Sequence, residues 1–528
     1  MSKKEELKNL LESKYQFEGP SIKLGAPMLG EETLTGTIIS APLKTLNRHG
    51  LIAGATGTGK TKTLQKLTEG LADEGVPVLL MDIKGDLSGL AKPSPGHPKI
   101  DERQAKIGLP FNPSGYTIEP LSISDEKGVR LRATISEFGP VLLSKILELN
   151  DTQSGLLAML FKYCDDSKLP LLDLKDLRKV LRFINEEGKE EIEKEYGRIS
   201  SSSIGTITRK IIELEQQGAD KFFGEKSFDP ADLLRKDDLD RGIISVLRLI
   251  DLQDRPKLFS TFMLSLLAEI YATFPEQGDA DKPKLIIIID EAHIIFDNAS
   301  DALLDQLNTI VKLIRSKGVG LFFCTQNPTD VPDEILSQLG LRVQHALRAF
   351  TAKDRKKIKL ISENFPPSDF YEISELLTSL GIGEALVTVL NEKGIPTPIA
   401  ATLLQAPVSR MDIITNNELK EILENSEILE EYNEEIDRES AYEILNEKIE
   451  EYAERGADDR LEERPQRSRS HRTRRSRSTR AEPTLVEQLS KNTMVRQLGR
   501  TIMREVTRGL LGAMGVKPRR RRRRTSIW

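Results

Sequence analysis

Short runs of consecutive apolar residues alternate along the chain with stretches whose apolar residues recur at helical spacing. The unbroken runs predict buried β-strands, and the spaced positions predict amphipathic helices that pack against them. Such alternation indicates a mostly parallel sheet covered on both faces, so we predict an α/β fold. The strand candidates in the main part of the chain are Val76–Asp82, Gly242–Leu249, Leu285–Asp290, Gly320–Thr325 and Glu384–Leu390.

Changes in this pattern and in local composition divide the chain into segments. An acidic, helix-forming stretch predicts a solvated helix or a charged linker, and an Arg/Ser-rich stretch predicts disorder. The predicted segments are a short helix and strand segment (1–45), a main domain (46–410) with a largely helical insertion or subdomain (128–235), the acidic linker (411–463), the disordered stretch (464–483) and a basic amphipathic helix with an arginine-rich tail (484–528).

The last segment is strongly basic, whereas the rest of the chain is acidic. From Met494 to Met514 apolar residues recur every four positions, with arginines recurring on the opposite side, which predicts an amphipathic helix. Residues 464–528 carry 20 Lys and Arg against three Glu, a net +17, so the remaining chain carries −22 of the total −5. Such a tail favours polyanions or an anionic membrane. Alternatively, its apolar stripe packs on the main domain, or acidic residues 418–463 neutralise it.

The two cysteines and the N-terminus indicate a cellular compartment. Cys164 and Cys324 both lie in apolar surroundings, which indicates buried thiols in a reducing compartment rather than a disulfide or metal site. The N-terminus lacks an apolar signal core, and no stretch approaches the ~20 apolar residues that span a bilayer. We therefore expect a cytoplasmic protein.

A glycine-rich turn follows an apolar strand that ends near Ala53 and precedes a predicted amphipathic helix. Its spacing, Gly54-x4-Gly59-Lys60-Thr61, is that of a Walker A phosphate loop. Backbone N–H groups of such a loop surround phosphate oxygens, the lysine reaches the β- and γ-phosphates, and the threonine hydroxyl binds Mg²⁺. The sequence therefore predicts a nucleoside triphosphate site. Its expected ligands are Gly54, Ala55, Thr56, Gly57, Thr58, Gly59, Lys60 and Thr61.

A second nucleotide signature begins where an apolar strand runs into Asp290-Glu291-Ala292-His293. This pattern is a Walker B motif with a catalytic glutamate. Asp290 would support Mg²⁺ through its water shell, and Glu291 would polarise the attacking water. The alternative is a buried strand followed by a solvated acidic turn. His293 could sense phosphate or pack behind the site.

Two further polar residues follow predicted strands. Gln326 comes directly after an apolar strand, where its amide could contact the γ-phosphate or its water, or be an ordinary turn residue. Asp82 also ends a strand, at the edge of a sheet where ligands gather in α/β proteins, but it could equally cap the next turn.

These motifs and others together resemble the HerA-like branch of the FtsK/HerA P-loop ATPases, nearest to the YjgR-like bacterial group. The resemblance covers roughly residues 20–410. The segments that carry it are 47–61, 82–86, 222–225, 290–293, 313–320 and 344–350.

The resemblance implies a RecA-like core that assembles as a homo-oligomer, with a hexameric ring as one form and nucleotide between subunits. Arg315 matches the arginine finger that acts on a neighbouring subunit, and Arg48 matches a second arginine used at the phosphates. An arginine aimed at the γ-phosphate stabilises charge that develops in the transition state. The alternative for both residues is a surface ion pair.

Our leading hypothesis is therefore a Mg²⁺-dependent ATPase of HerA/FtsK type that acts on DNA as a helicase or translocase. The basic tail would add sequence-independent affinity for nucleic acid. The acidic body supports a different hypothesis, an ATPase switch that regulates protein partners without touching nucleic acid. A third hypothesis makes the tail a membrane-surface anchor.

Overall fold

The computed structural model describes residues 2–252, 255–278, 280–297, 301–436 and 438–462. The predicted disordered stretch and the predicted basic helix with its tail lie outside these residues. Within the described part of the chain, no helix is both long enough and apolar enough to cross a bilayer.

The chain divides into two compact units, which we describe separately. The sheet unit comprises residues 1–133, 145–148 and 210–437. The helical unit comprises residues 134–144, 149–209 and, of the described C-terminal residues, 438–462.

The described residues of the sheet unit form one sheet of 13 strands. Eight neighbouring strands, in the order β11-β4-β10-β9-β5-β8-β6-β7, are parallel, and β12, β13, β1 and β2 continue the sheet antiparallel beyond β11, with β3 paired to β1. The strands are β1 (Ser21–Leu29), β2 (Glu32–Thr33), β3 (Ile39–Pro42), β4 (Gly50–Ala53), β5 (Val78–Asp82), β6 (Ile118–Ser122), β7 (Val129–Arg130), β8 (Ile244–Arg248), β9 (Leu285–Ile289), β10 (Val319–Thr325), β11 (Leu341–His345), β12 (Glu384–Thr388) and β13 (Ala400–Leu404).

Helices surround this sheet and build the helical unit. They are α1 (Lys3–Tyr15), α2 (Lys60–Asp73), α3 (Pro98–Ile107), α4 (Ile135–Ile146), α5 (Asp151–Asp166), α6 (Leu174–Asn185), α7 (Lys189–Tyr196), α8 (Ser201–Gln216), α9 (Pro256–Thr273), α10 (His293–Asp297), α11 (Asp301–Ile314), α12 (Asp333–Leu336), α13 (Ala352–Glu363), α14 (Ile373–Ser379), α15 (Asn416–Glu424), α16 (Leu429–Asn433) and α17 (Ala441–Glu462).

The predicted mostly parallel α/β fold is confirmed. Every residue of β5, β9 and β10 is buried, as expected for strands covered on both faces. The parallel strands end at one common edge, which we call the carboxyl edge, and begin at the opposite amino edge. Any chemistry carried by residues that follow β4, β5, β9, β10 and β11 is therefore gathered at the carboxyl edge.

Two segments that the sequence set apart belong to the sheet unit. In the first, β1 pairs with β13, so residues 1–45 complete the sheet. In the second, part of the predicted acidic linker packs on the core, where Leu419 of α15 and Tyr432 of α16 are buried. The Tyr432 hydroxyl donates a hydrogen bond of 2.5 Å to Asp232. Residues 411–436 are thus not a linker, because apolar side chains spaced among the glutamates anchor them.

The helical unit is built on amphipathic helices. In α6, Leu177, Val180 and Leu181 are buried on one face. Asp176, also on α6, accepts a hydrogen bond of 2.9 Å from the backbone N–H of Tyr442 at the start of α17. The apolar stripe of α6 and this polar contact hold α6 and α17 together within the unit.

Candidate active site at the carboxyl edge

The phosphate loop connects β4 to α2 through glycines in left-handed conformations. Gly57 and Gly59 have φ values of 78° and 107°, which side chains rarely allow. A Cβ added to Gly54 would lie 2.5 Å from the Cβ of His345, so no larger residue fits there. Gly57 at the tip has no described atom within 4 Å of an added Cβ, which leaves the space in front of the loop open. The loop is thus shaped for an oxyanion at the N-terminus of α2.

Neighbouring segments hold this loop in place through its backbone. The Ala55 N–H donates 2.8 Å to the carbonyl of Ala346, just beyond β11. The Thr58 carbonyl accepts 2.9 Å from the N–H of Gly383, in the turn before β12. Arg103 of α3 in turn donates 3.1 Å to the Gly383 carbonyl. The loop conformation therefore depends on residues far from it in sequence.

Lys60 and His345 lie directly at the loop. Lys60 is 7% exposed, and its ammonium donates 3.3 Å to the carbonyl of Ala55. His345 is fully buried, with its Nε2 2.9 Å from the hydroxyl of Thr63 on α2. Burial, aided by the Lys60 charge, lowers the pKa of His345 to about 4. The imidazole is therefore neutral at physiological pH, and Lys60 brings the positive charge behind the loop.

The Walker B aspartate lies at the end of β9, one strand removed from β4. Asp290 is 1% exposed, and its Oδ2 has no hydrogen-bond partner among the described residues. Burial raises the pKa of this carboxyl group. Strand β10 lies between β4 and β9, so the residues that follow β4 and those that follow β9 lie near each other at the same edge. An unpaired buried carboxylate oxygen fits a hard divalent cation.

Glu291 has an unusual backbone and close charged neighbours. Its φ of 46° lies in the left-handed region, which is rare for a residue with a side chain. The ammonium of Lys84 contacts Oε1 of Glu291, and Nδ1 of His293 lies 3.2 Å from its Oε2. Burial alone would lower the pKa of Lys84, but Glu291 and Asp290 outweigh this effect and raise it. The carboxylate thus lies between a lysine and an imidazole.

Asp82 caps the turn that follows β5. Its Oδ1 accepts 2.7 Å from the N–H of Gly85, and its Oδ2 accepts 3.1 Å from the N–H of Leu87. Burial raises the pKa of Asp82 to about 6. Of the two roles that the sequence left open, the described contacts show the cap.

Gln326 follows β10, which lies between β4 and β9 in the sheet. This position brings the amide to the carboxyl edge between the two Walker motifs, where its side chain is exposed. The preceding Thr325 is fixed by a hydrogen bond of 2.6 Å to Asp330. The backbone that carries Gln326 is therefore anchored, while the amide is available to a ligand.

The two predicted arginines lie at the other end of the sheet. Arg315 is exposed in the 3₁₀ turn before β10, and Arg48 precedes β4, so both lie at the amino edge. A Cβ added to Gly394 would lie 2.5 Å from the guanidinium of Arg48, which places that side chain away from the phosphate loop. Neither arginine reaches the phosphate site of its own chain. Strand β4 separates Arg48 from the loop, and its role at the phosphates stays a prediction.

Sequence reasoning assigned no role to Lys84, Arg103 or His345. Lys84 and His345 lie inside the segments 82–86 and 344–350, which carry the family resemblance. Their position as polar residues at the ends of strands could have marked them as candidate site residues. Arg103 gave no signal, because its contacts are backbone carbonyls of a distant turn.

Comparison with known proteins places this site in a family. The model of the helicase HerA-like C-terminal family matches residues 28–521. The DNA double-strand break repair helicase HerA of Sulfolobus acidocaldarius is 22% identical over 376 residues, covering 70% of this chain and 68% of that protein. Its counterpart in Sulfurisphaera tokodaii is 23% identical over 379 residues, covering 70% and 67%.

Among solved structures, that of the plasmid coupling protein TrwB in complex with ADP and Mg²⁺ is 14% identical. It has a TM-score of 0.49 over 77% of this chain and 94% of that chain. The family model spans far more than half of the sequence. With both Walker motifs at the carboxyl edge of its sheet, the chain belongs to the HerA-like helicase C-terminal family of P-loop ATPases.

Proposed function

We propose that this protein couples Mg²⁺-dependent ATP hydrolysis to work on DNA, as a helicase or translocase. The observation that carries the proposal is the buried Oδ2 of Asp290, which has no hydrogen-bond partner among the described residues. Asp290 follows β9, and only β10 lies between β9 and the strand that leads into the phosphate loop. That arrangement suits binding of a nucleotide together with its divalent cation. The DNA substrate is proposed from the family and from the function for which the HerA relatives are named.

The residues that would hold the nucleotide are those of the phosphate loop. The loop amides and Lys60 bind phosphate oxygens, and the Thr61 hydroxyl and the Asp290 carboxylate hold Mg²⁺. When bound, Mg²⁺ neutralises charge on the phosphates. The open space in front of Gly57 supports this assignment, because no described side chain obstructs an anion there.

Glu291 is the proposed general base. Its carboxylate accepts a proton from the water that attacks the γ-phosphate, and Gln326 orients that water through its amide. Lys84, in ion-pair contact with Glu291, would hold its side chain in position. The left-handed backbone at Glu291 is consistent with a residue whose placement is set by function.

Arg315 is proposed to act in a homo-oligomer. It is exposed at the amino edge, so it can stabilise the transition state only in the site of a neighbouring subunit. Arg48, at the same edge, would serve the same neighbouring site. A closed ring such as a hexamer would give every site such a neighbour.

The test is ATP turnover by the purified full chain with and without single- and double-stranded DNA, using Lys60→Ala as the blank. Turnover that requires Lys60 and rises with DNA supports the proposal. Turnover that requires Lys60 but does not change with DNA favours the second candidate, a switch that acts on protein partners. The net charge of −22 on residues 1–463 supports this candidate, because it repels DNA.

A further inference from the structure

One helix of the sheet unit presents an exposed cationic surface that the nucleotide site does not use. Helix α13 begins with a capping box in which Thr351 and Asp354 exchange hydrogen bonds. Ile358 and Ile361 are buried on the core, which fixes the orientation of the helix. The opposite side is exposed, and with the preceding loop it forms what we call the α13 face. Its members are Arg348, Phe350, Lys353, Arg355, Lys356, Lys359 and Leu360.

The cations of the α13 face are not neutralised within the described chain. None of its lysines and arginines forms an ion pair with any residue in the described ranges. Residues 346–363 hold six Lys and Arg against two acidic residues. Lys353, Lys356 and Lys359 follow one another at three-residue spacing, where like charges destabilise a helix. This concentration of charge is therefore not explained by folding stability.

Two large apolar side chains accompany these cations. Phe350 is 86% exposed, and Leu360 is 61% exposed. Cations interleaved with an exposed aromatic ring are typical of surfaces that bind single-stranded nucleic acid, where bases stack on the ring. Because the chain outside its basic tail is acidic overall, the α13 face is a local exception to the surrounding charge.

The face is directly connected to the phosphate loop. Strand β11 pairs with β4, and Gln344 lies opposite Ala53. At the end of β11 the Ala346 carbonyl accepts the N–H of Ala55 at 2.8 Å. Arg348 follows two residues later. A shift of the loop on binding or releasing phosphate would therefore pull on the segment that carries Arg348 and Phe350.

We propose that the α13 face binds the substrate nucleic acid: its lysines and arginines contact backbone phosphates, and Phe350 stacks on an unpaired base. The proposal rests on the proposed function and names where DNA would meet the motor. Binding of nucleic acid to the α13 face would shift the phosphate loop through the contact of Ala55 with Ala346 and would raise ATP turnover.

The experiment compares the full chain with the variant Lys353→Glu/Lys356→Glu/Lys359→Glu. A matched control, Lys14→Glu/Lys99→Glu/Lys106→Glu, makes the same charge change at exposed lysines elsewhere in the sheet unit. Thermal unfolding and binding of a fluorescent ATP analogue establish that each variant is folded. Fluorescence anisotropy then measures binding to single- and double-stranded oligonucleotides between about 50 and 200 mM salt, and ATP turnover is measured with and without them.

We expect the triple reversal on α13 to weaken DNA binding at least about 10-fold. The slope of log affinity against log salt should become shallower, by an amount that corresponds to the loss of up to about three phosphate contacts. DNA stimulation of turnover should be lost with it, while the control keeps both properties. Phe350→Ala should weaken binding to single strands about 10-fold and affect duplex binding less. Equal DNA binding and stimulation in the triple reversal and the control would overturn the proposal.

The same measurements separate this proposal from the proposed function. If the unmodified chain responds to DNA and the triple reversal responds equally, the α13 face is wrong and the DNA motor stands. If the unmodified chain neither binds DNA nor is stimulated by it, the proposed function fails and the α13 proposal fails with it. A separate flotation assay with phosphatidylserine vesicles tests the alternative of a membrane. A triple reversal that loses flotation but keeps DNA binding would assign the face to a membrane and overturn the proposal.

Discussion

The two edges of the parallel sheet are built for different purposes. At the carboxyl edge Asp290 and Glu291 are almost fully buried beside a phosphate loop, and Oδ2 of Asp290 has no hydrogen-bond partner among the described residues. At the amino edge Arg315 is exposed, with Arg48 nearby and no phosphate loop of its own. The carboxyl edge thus buries a carboxylate oxygen without a hydrogen-bond partner, and the amino edge presents an exposed cation. Under our proposal, the two would meet only between copies of the chain.

Each edge nevertheless contains one buried, neutral histidine that ties a strand to a helix. At the amino edge His49 accepts 3.0 Å from the N–H of Leu321 on β10, and its Nε2–H donates 2.8 Å to the carbonyl of Val311 on α11. At the carboxyl edge His345 bonds to α2. The edges therefore differ in their exposed chemistry but share a way of fixing it in place.

The largest expected effect tests the carboxyl edge alone. Glu291→Gln removes the base while keeping a side chain of the same shape, so ATP turnover should fall about 10³-fold and ATP binding should persist. Steady-state turnover and binding of a fluorescent analogue measure the two effects. Glu334→Gln, an exposed glutamate on α12, is the matched control. Turnover retained in Glu291→Gln would remove Glu291 from the chemistry.

A second prediction tests whether the two edges work together between subunits. Arg315→Ala should lower turnover about 10²-fold, because developing negative charge in the neighbouring site loses its partner. Lys312→Ala, an exposed cation on α11, should have little effect. Mixing Arg315→Ala with Glu291→Gln should restore part of the activity, since some interfaces then combine both intact residues. No recovery on mixing would contradict action across subunits.

The third prediction concerns the buried histidines as pH-sensitive supports. Burial lowers the pKa of His49 to about 4, and that of His345 likewise, whereas both residues titrate near pH 6.5 when unfolded. A base with a lowered folded pKa contributes stability above pH 6.5 that is lost as the pH falls towards 4, by up to roughly 3 kcal/mol for each histidine.

His49→Gln and His345→Gln should therefore each lower the unfolding temperature at about pH 7.5. In each variant, the drop in unfolding temperature between about pH 7.5 and about pH 5 should be smaller than in the unmodified chain. Differential scanning fluorimetry at the two pH values measures this. His97→Gln, the same substitution at an exposed histidine, is the control variant. An undiminished loss of stability on acidification in both buried-site variants would show that other groups dominate it.

The smallest expected effect concerns the support of the phosphate loop. Arg103→Lys cannot keep all three contacts to the carbonyls of Ile382, Gly383 and Leu404, which hold the turn against Thr58. We expect the KM for ATP to rise by a few-fold with kcat little changed. Lys106→Ala on the same helix is the control. An unchanged KM would mean that the turn does not need this arginine.

The strands that carry the Walker motifs were predictable, because their residues are all apolar and each motif marks the carboxyl end of its strand. Strand β11 was not, since Arg342 and Gln344 alternate with apolar residues and conceal its central place in the sheet. Strand β6 contains Pro120, which normally argues against a strand in the interior of a sheet. These strands form through pairing with distant partners, which local pattern does not report.

At the site, the sequence identified the residues that come after β9 and β10 but not their surroundings. The contact of Lys84 with Glu291 joins residues separated by 207 positions. The location of Arg48 at the amino edge depends on the direction of β4. Contacts of this kind depend on strand order, which a single sequence does not contain.

Both cysteines of the chain are buried, and burial raises the pKa of each thiol, so neither is reactive in the folded protein. Thiol reagents should therefore not label the native folded chain, so a cysteine introduced at the surface can be labelled selectively. A single thiol introduced as Phe350→Cys would accept a maleimide dye at an exposed position without removing any native residue elsewhere. Such a probe would allow the movement of that segment to be followed in real time while ATP is turned over.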